Sequence, residues 1–430
     1  MLFARNGRKD DLVIRGARVL DPAEGVDAVL DVRVDKGVIA QLGSEVDTNE
    51  HRVIDGKGLV LAPAFVDPHV HLRVPGGEDE ETISSGTEAA AAGGYCAILA
   101  MPNTDPVVDS AAVLGSLVED AKAEARVPVG FLAAITRGQD GAELTEMVEL
   151  AEQGAAGFTD DGRPIVAPGL MRRALQYHAL TGRRLALHCE EPTLSKGGQM
   201  HEGAVSAELG FTGYPSVAES VMVERDLSLA AYEQAPLHLL HLSARESVEA
   251  LRAAQAKGVQ ASAEVTPHHL CLTDEAVRSL DSNVKMNPPL RSADDRAALV
   301  EGLRDGTIGS VATDHAPHAR HKKEVPFEAA PFGVTGLETA FAALHTYLVE
   351  PGLLPLETLL ERMSAGPARA YGLERPRIAE GAKANLVLLD TETAWRVEED
   401  GFRSRSANSW LLGQTLKGRP RLTVAAGKVV

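Results

Sequence analysis

The chain has 430 residues, of which 44% are hydrophobic and 24% are charged, a composition typical of a globular protein with one large domain or several average ones. Lys and Arg number 43 against 61 Asp and Glu, so the formal net charge is −18, which argues against nucleic acid and against anionic membranes as partners. The 3 cysteines lie far apart, without the spacing of a disulfide framework or a structural zinc knot.

We expect a cytoplasmic protein that does not bind membranes. The first residues, Met1 to Asp11, are charged and lack the apolar core of a signal peptide. No run of about 18 apolar residues, the length needed to cross a bilayer, occurs anywhere in the chain.

Short strand patterns, separated by Gly and Asp, mark both ends of the chain. The predicted strands at these ends are Leu12–Val19, Val29–Val34, Val38–Leu42, Arg52–Ile54, Asn385–Asp390 and Leu422–Val430. Neither end has enough strands or apolar area to be stable alone. We therefore predict that residues 1–60 and 371–430 combine into one small β-domain.

Between residues 61 and 370, short apolar runs alternate with helical patterns, as in βαβ units with a parallel sheet. The predicted strands are Ala64–His69, Tyr95–Met101, Val129–Ile135, Gly157–Thr159, Arg184–His188, Leu237–His241, Gln260–Val265 and Ser310–Thr313. The predicted helices between them include Ile83–Ala92, Ala111–Ala125, Leu144–Gln153, Leu170–Leu180, Val217–Glu233 and Arg245–Lys257. This repetition predicts a (β/α)8 TIM barrel of class α/β. An open doubly wound sheet is the alternative, and the absence of a G-x-G-x-x-G turn after an early strand disfavours it.

His69 and His71 stand one residue apart, directly after the apolar stretch Leu59 to Val66. Residues i and i+2 of a strand point to the same side, so both imidazoles can reach one metal ion. Neutral imidazole is a good ligand for zinc and similar ions. The pair is therefore a candidate metal site, although such pairs also occur by chance on protein surfaces.

Further polar residues follow other predicted strands. Asp160 and Asp161 follow the fourth strand, His188 ends the fifth, His241 ends the sixth, and Asp314 follows the eighth. In a TIM barrel the carboxyl ends of all strands form one face, on which active sites are built. Each residue alone has an ordinary explanation as a core histidine, a turn aspartate or a helix cap. Their joint occurrence at strand ends predicts a site for two metal ions.

Seven short motifs follow one another along the chain: DPHVHLR, MPNT, FTDDG, LHCEE, LHLS, NPPLR and ATDHAPH. Together with the order of the histidines and aspartates, they resemble the dihydroorotases of the long bacterial type, a family within the amidohydrolase superfamily. The resemblance runs from about residue 12 to the C-terminus and so covers nearly the whole chain.

The resemblance implies two zinc ions per subunit, bridged by Asp161 and a hydroxide. The implied metal ligands are His69, His71, Asp161 and Asp314 for the first ion and Asp161, His188 and His241 for the second. Zinc suits this set of nitrogen and oxygen ligands, and manganese and cobalt stay open as alternatives.

The bridging residue distinguishes branches of the superfamily. Many members bridge their metals with a carboxylated lysine, but the only lysine between His71 and His188 is Lys122, inside a predicted helix. A carboxylate must then take this position, and Asp161 matches it better than Asp160. The absence of a bridging lysine argues against the hydantoinases and allantoinases, which resemble the lysine-bridged branch.

Arg73 lies two residues past His71 and can reach the same face. Its guanidinium could hold a carboxylate through two parallel hydrogen bonds, and a surface salt bridge is the ordinary alternative. The resemblance implies further substrate-binding residues: Asn103 and His318 at a carboxylate, and Asn287, Phe332 and Gly333 at the ring.

The resemblance also implies the reaction, the reversible metal-dependent hydrolysis of the cyclic amide of dihydroorotate to N-carbamoyl-aspartate. Cyclisation would be the direction of pyrimidine biosynthesis, and Asp314 would be the catalytic residue that transfers protons. A homodimer is implied, and so is association with aspartate transcarbamoylase in some assemblies. The alternatives are another cyclic amidase, such as a hydantoinase or allantoinase, and an inactive scaffold for aspartate transcarbamoylase. The presence of all four metal histidines argues against the scaffold.

Overall fold

The computed structural model describes residues 1–48 and 51–430. Within these ranges, the strands form two large sheets and two short ribbons. The ribbons pair Met200–His201 with Gly213–Tyr214 and Trp395–Arg396 with Thr415–Leu416.

One large sheet is a nearly closed barrel of 8 parallel strands, counted over the described residues. Its strands, adjacent to one another in chain order, are Phe65–Val70, Tyr95–Ala100, Val129–Ala133, Gly157–Phe158, Arg184–Leu187, Leu237–Leu239, Ala261–Val265 and Ser310–Val311. A parallel bridge from Val70 to His315 joins the first strand to the chain just past the eighth, and the His71 amide donates to the His315 carbonyl at 2.8 Å. The predicted (β/α)8 barrel is confirmed.

Helices lie between the barrel strands and after them. The α-helices are Ile83–Ala92, Ala111–Glu124, Met147–Gln153, Pro168–Thr181, Pro192–Ser195, Ala204–Leu209, Val217–Glu233, Arg245–Ala256, Pro267–Cys271, Ala293–Asp305, Arg320–Lys323, Ala340–Leu344, Leu356–Met363 and Ala365–Ala370. Shorter 3₁₀ turns occupy Arg137–Gln139, Asp274–Ser279, Ser282–Val284 and Glu399–Gly401, and His345–Val349 is a π-helical turn. In the described part of the chain, no helix combines the length and the apolar character needed to span a bilayer.

Helix termini show why the predicted boundaries fall where they do. Thr82 caps the helix Ile83–Ala92 by accepting the Ser85 amide, and the Ser85 hydroxyl in turn accepts the Thr82 amide. This reciprocal capping satisfies backbone donors that a helix start leaves free. The predicted bounds of this helix and of Val217–Glu233 are confirmed at both ends.

The second large sheet is built from both ends of the chain. Its strands are Leu12–Asp21, Val26–Asp35, Val38–Gly43, Arg52–Asp55, Val60–Pro63, Leu386–Asp390, Arg419–Ala425 and Lys428–Val429. The ends are joined where Val60–Pro63 pairs antiparallel with Leu386–Asp390. The predicted β-domain made from both ends is confirmed, whereas the boundaries at residues 60 and 370 stay a prediction.

Two details of this sheet differ from the sequence prediction. The strand Val60–Pro63 belongs to this sheet, although the barrel region was predicted to begin at residue 61. The reason is that the apolar stretch Leu59 to Val66 runs from one sheet into the other and contains no polar residue to mark the change. The prediction of one strand over Leu422–Val430 is wrong. The strand ends at Ala425, and the chain reverses through Ala426 and Gly427, whose φ values of 48° and 79° suit a tight hairpin turn.

Candidate active site

The predicted metal ligands all lie at the carboxyl-terminal end of the barrel. His69 belongs to the first strand, and the others follow a barrel strand by at most three residues: His71, Asp161, His188, His241 and Asp314. All of these side chains are buried. The fold therefore brings residues from five different strand ends into one site.

Asp161 lies between two pairs of histidines. Its Oδ2 atom is 3.6 Å from the Nε2 atoms of both His69 and His71. Its Oδ1 atom is 3.7 Å from His188 Nδ1 and 3.5 Å from His241 Nε2. The ligand atoms of each set lie within 4.8 Å of one another. The two oxygens of this single carboxylate thus face two different candidate ion positions.

Asp314 joins the set that contains His69 and His71. Its Oδ1 atom is 3.0 Å from His71 Nε2 and 3.4 Å from His69 Nε2. The φ of Asp314 is 47°, and those of Arg73 and His241 are 59° and 28°. Left-handed backbone is uncommon outside glycine and concentrates at functional sites, where the surrounding structure holds it in place. At this site three neighbouring side chains depend on such turns for their direction.

The donor atoms at the centre of the site fit a bound metal. His69 Nε2 and Asp161 Oδ1 are buried and, among the described residues, have no hydrogen-bond partner. Buried polar atoms without partners are rare because they lose their water without compensation. Imidazole nitrogens and carboxylate oxygens are ordinary ligands of zinc and related ions, so metal ions would satisfy both atoms.

The electrostatics of the site also favour positive charge. Burial alone would raise the pKa of Asp161, but the charge of His69 and the nearby imidazole of His241 outweigh it and hold this pKa well below its ordinary value. In Asp314 too, burial is outweighed, and His69 and His71 lower the pKa. Conversely, Asp161 and Asp314 overcome burial and raise the pKa of His69. Two ionised carboxylates buried this closely require nearby cations, whether protons or metals.

Arg73 and His318 lie side by side next to this cluster, with Arg73 Nη2 3.5 Å from His318 Nε2. Arg73 Nε donates to the Pro317 carbonyl at 3.1 Å. The two oxygens of Glu80 hold both side chains, at 3.4 Å from Arg73 Nε and 3.1 Å from His318 Nδ1. His318 Nε2 donates to the Phe332 carbonyl at 2.8 Å. The side chain of Arg73 is only 17% exposed, so it does not form a surface salt bridge.

Asn103 is placed within the metal cluster. Its Oδ1 atom accepts from His71 Nδ1 at 2.9 Å, and its Nδ2 atom donates to Asp161 Oδ2 at 3.2 Å. These bonds orient two predicted metal ligands and leave Asn103 bonded to them instead of to Arg73.

Asn287 lies on the side of the other histidine pair. Its Nδ2 atom donates to Glu190 Oε2 at 3.1 Å, and the same oxygen lies 2.9 Å from His188 Nε2. Asn287 Oδ1 is buried without a hydrogen-bond partner in the described structure. It is therefore an acceptor available to a ligand.

Gly333 occupies a position that tolerates no side chain. Its φ is +119°, and a Cβ there would lie 2.6 Å from the Ala316 Cβ atom and 3.2 Å from His318 Nε2. Its amide donates to the Lys285 carbonyl at 2.8 Å. Glycine is required both by the backbone conformation and by the close approach of His318.

Asn408, from the C-terminal part of the chain, holds the loop between Ala316 and Gly333. Its Nδ2 atom donates to the carbonyls of these two residues at 3.2 and 3.3 Å. Its Oδ1 atom accepts the backbone amide of His318 at 3.0 Å. One side-chain amide therefore ties both ends of this loop together.

Sequence reasoning missed four residues that support the site: Glu80, Glu190, Glu264 and Asn408. Glu264 had a signal, because it is the one charged residue of the barrel strand Ala261–Val265, and it bonds to His69 at 2.8 Å. Glu190 stands within the LHCEE motif. Glu80 bonds to His318 across 238 positions and Asn408 bonds to Ala316 across 92, so no local pattern reveals these two contacts.

Two protein families match the sequence. The family described as Dihydro-orotase-like matches residues 58–247, and the one described as Amidohydrolase family matches residues 222–430. Relatives named dihydroorotase cover almost the whole chain. The one from Pelotomaculum thermopropionicum is 46% identical over 97% of this chain and 98% of its own length. That of Geobacter metallireducens is 44% identical over 98% of this chain and 99% of its own length.

Solved structures of the same fold are also similar over nearly the whole chain. The L-hydantoinase (dihydropyrimidinase) from Arthrobacter aurescens gives a TM-score of 0.88 at 26% identity, covering 98% of this chain and 96% of that one. The dihydropyrimidinase from Brevibacillus agri gives 0.85 at 22% identity, covering 98% and 95%, and supports the fold alone.

The barrel, the two His/Asp sets and these matches define a metal-dependent hydrolase of the amidohydrolase class. Relatives that are all named dihydroorotase are more than 40% identical to this chain over nearly their full length. This similarity narrows the class to one family. The chain belongs to the dihydroorotase family.

The position of Gly333 generates a prediction. We expect Gly333→Ala to lower stability by about 1–3 kcal/mol, because the new methyl group requires a strained φ and displaces Ala316 or His318. Thermal unfolding measures the change. Gly401→Ala is the matched control, since a Cβ there meets nothing within 4 Å. Equal melting temperatures for the two variants would contradict the prediction, because they would show that the loop accommodates the methyl group without loss of stability.

Proposed function

We propose that the protein is a dihydroorotase, which reversibly hydrolyses the cyclic amide of dihydroorotate to N-carbamoyl-aspartate. The observation that carries this proposal is the 41–46% identity to curated dihydroorotases over nearly the entire chain. The arrangement of the site agrees with it, because a buried guanidinium stands beside a cluster of metal-ligand residues. A carboxylated cyclic amide needs both features.

We further propose that the metals are two zinc ions. The proposed ligands are His69, His71, Asp161 and Asp314 for one ion and Asp161, His188 and His241 for the other. When bound, such ions polarise a carbonyl and lower the pKa of water. The orientation of Asp161, one oxygen toward each histidine pair, supports its role as the shared ligand.

Asp314 is the proposed catalytic residue. Its Oδ1 atom lies 3.0 Å from His71 Nε2 and 3.4 Å from His69 Nε2, so the carboxylate stands within the proposed metal cluster, where it can accept a proton. In hydrolysis it takes the proton of the attacking water and passes it to the leaving ring nitrogen. In cyclisation the same atoms work in reverse, and the protonated carboxyl acts as the acid.

The substrate carboxylate is proposed to bind at Arg73 and His318, with Asn103 nearby. A guanidinium removed from water pairs strongly with a carboxylate and fixes its orientation. The free acceptor Asn287 Oδ1 matches a ring N–H group. The backbone of Phe332 and Gly333 is proposed to contact the ring, and its hydrogen bond to His318 supports a place beside the substrate.

A hydantoinase is the second candidate, favoured by the TM-score of 0.88 with the Arthrobacter aurescens enzyme. Sequence identity favours the dihydroorotase, at 46% against 26%. Lys122, the lysine nearest in sequence to a bridging position, lies on a helix and pairs with Glu119 at 2.7 Å. An inactive scaffold is disfavoured because the structure brings all six proposed metal ligands together.

The homodimer, the association with aspartate transcarbamoylase and the cytoplasmic location stay predictions that rest on the family resemblance. Sedimentation of the purified protein, alone and with aspartate transcarbamoylase, measures the first two.

The proposed activity is tested by comparing dihydroorotate, hydantoin and allantoin as substrates of the wild-type protein. We expect turnover of dihydroorotate to exceed that of the other two by orders of magnitude, since only dihydroorotate carries a carboxylate for Arg73. Dialysis against a chelator should abolish turnover, and zinc should restore it. Preferential turnover of hydantoin or allantoin would contradict the proposal.

For Asp314→Asn we expect turnover to fall by roughly 10²- to 10⁴-fold, because an amide cannot relay the proton. Bound zinc, measured by elemental analysis, should be partly retained through the histidines. Asp226→Asn serves as the control, since Asp226 is a buried carboxylate that pairs with Arg225 and has no contact with a proposed metal ligand. Near-wild-type turnover of Asp314→Asn would remove the proton-transfer role.

For Arg73→Met we expect kcat/KM for dihydroorotate to fall by at least about 30-fold, the effect of removing one partner of a buried charge pair. Any turnover of the uncarboxylated hydantoin should suffer much less. Arg320→Met is the matched control, because Arg320 lies two residues from His318 but its side chain is 71% exposed. Equal losses on both substrates would contradict a carboxylate-binding role for Arg73.

A further inference from the structure

A chain of buried hydrogen bonds crosses the inside of the barrel next to the proposed metal site. His69 Nδ1 lies 2.8 Å from Glu264 Oε1, and Glu264 Oε2 lies 2.9 Å from His238 Nε2. His238 Nδ1 then lies 2.8 Å from the Ser262 hydroxyl. His69, Glu264 and His238 are completely buried. This series of hydrogen bonds links three barrel strands: the first, the sixth and the seventh.

The hydrogen-bond partners determine where the protons are. Glu264 is an acceptor when ionised, so His69 must carry a proton on Nδ1 and His238 must carry one on Nε2. The hydroxyl of Ser262 can then donate to His238 Nδ1. With Nδ1 protonated, the remaining nitrogen of His69, Nε2, is free to act as a ligand. That nitrogen is the one that faces Asp161 and Asp314.

Glu264 is well suited to remain an anion in this position. Hydrogen bonds donated to a carboxylate favour its ionised form. Each of its oxygens has one imidazole donor. The carboxylate is therefore held in place from both sides.

The second histidine pair repeats this arrangement. Glu190 Oε2 lies 2.9 Å from His188 Nε2, which leaves His188 Nδ1 toward Asp161. In each pair, one histidine has a glutamate at the nitrogen that faces away from Asp161. His71 instead has the neutral amide of Asn103.

We infer that Glu264 is a positioning residue, which fixes His69 as the Nδ1–H tautomer and aims its Nε2 atom at the metal, with His238 holding Glu264 in place. A histidine ligand whose other nitrogen donates to a carboxylate is correctly oriented and more basic, which strengthens metal binding. This inference rests on the proposed metal site. It assigns a role to Glu264 and His238 that does not involve contact with substrate.

The test measures zinc affinity and does not depend on activity. Apoprotein of the wild type and of Glu264→Gln is titrated with zinc against a competing chelator, and thermal unfolding of each apoprotein is recorded. Glutamine has the same shape and can still accept from one imidazole, but it provides no negative charge. We expect the zinc affinity of the site that contains His69 to fall roughly 10- to 100-fold, while the apoprotein keeps its melting temperature within a few degrees.

Glu338→Gln is the control, because Glu338 is a partly buried carboxylate that accepts the backbone amides of Arg403 and Ser404 and contacts no proposed ligand. Its zinc affinity should equal that of the wild type. Glu264→Asp is the second variant, since it keeps the charge but draws it away from His69 by one methylene. Glu264→Asp should also weaken zinc binding. If Glu264→Gln does not fold, the zinc affinity of Glu264→Asp tests the inference.

Unchanged zinc affinity in the folded Glu264 variants would overturn the inference, and so would an equal loss in the control. A fall in melting temperature without a fall in affinity would give Glu264 a structural role only. Failure of the wild type to bind zinc would contradict the proposed metal site itself, which separates that outcome from the others.

Discussion

The shared carboxylate of Asp161 is the constraint on which the site depends. Its two oxygens face two pairs of imidazoles at 3.5–3.7 Å. Such an arrangement cannot be made by a local stretch of chain, because the groups come from the first, fourth, fifth and sixth strands of the barrel. Closure of the barrel is therefore what sets the distances within the site. Burial of two ionised carboxylates in so small a volume is acceptable only with compensating positive charge.

Much of this arrangement could be predicted from the sequence, because it follows from simple periodicities. The two-residue period of a strand puts His69 and His71 on one side, and the barrel puts every strand end on one face. Apolar runs and helical patterns were strong enough to locate all eight barrel strands. The fourth strand, Gly157–Phe158, has only 2 residues, yet the polar residues after it marked its end.

Other features could not be read from local patterns. The strand Val60–Pro63 belongs to the terminal sheet, but its residues are as apolar as those of the next strand, so composition cannot separate the two. The hairpin at Ala426 and Gly427 divides a short, mostly apolar segment that was predicted as one strand. The contacts of Glu264 with His69 and of Glu80 with His318 span 195 and 238 positions. Such pairs depend on how the barrel closes, which no single segment reveals.

The C-terminal segment has a consequence for the order in which the molecule is completed. Every proposed metal ligand lies at or before Asp314, whereas the loop beside them is tied by Asn408, and Ser406 donates to the Glu80 carbonyl at 2.7 Å. During synthesis these ties form only when nearly all of the polypeptide has left the ribosome. A nascent or truncated chain ending before residue 404 would contain the whole metal-ligand set without the ties that hold the loop between Ala316 and Gly333. Maturation of the catalytic pocket is in this way linked to synthesis of the intact chain.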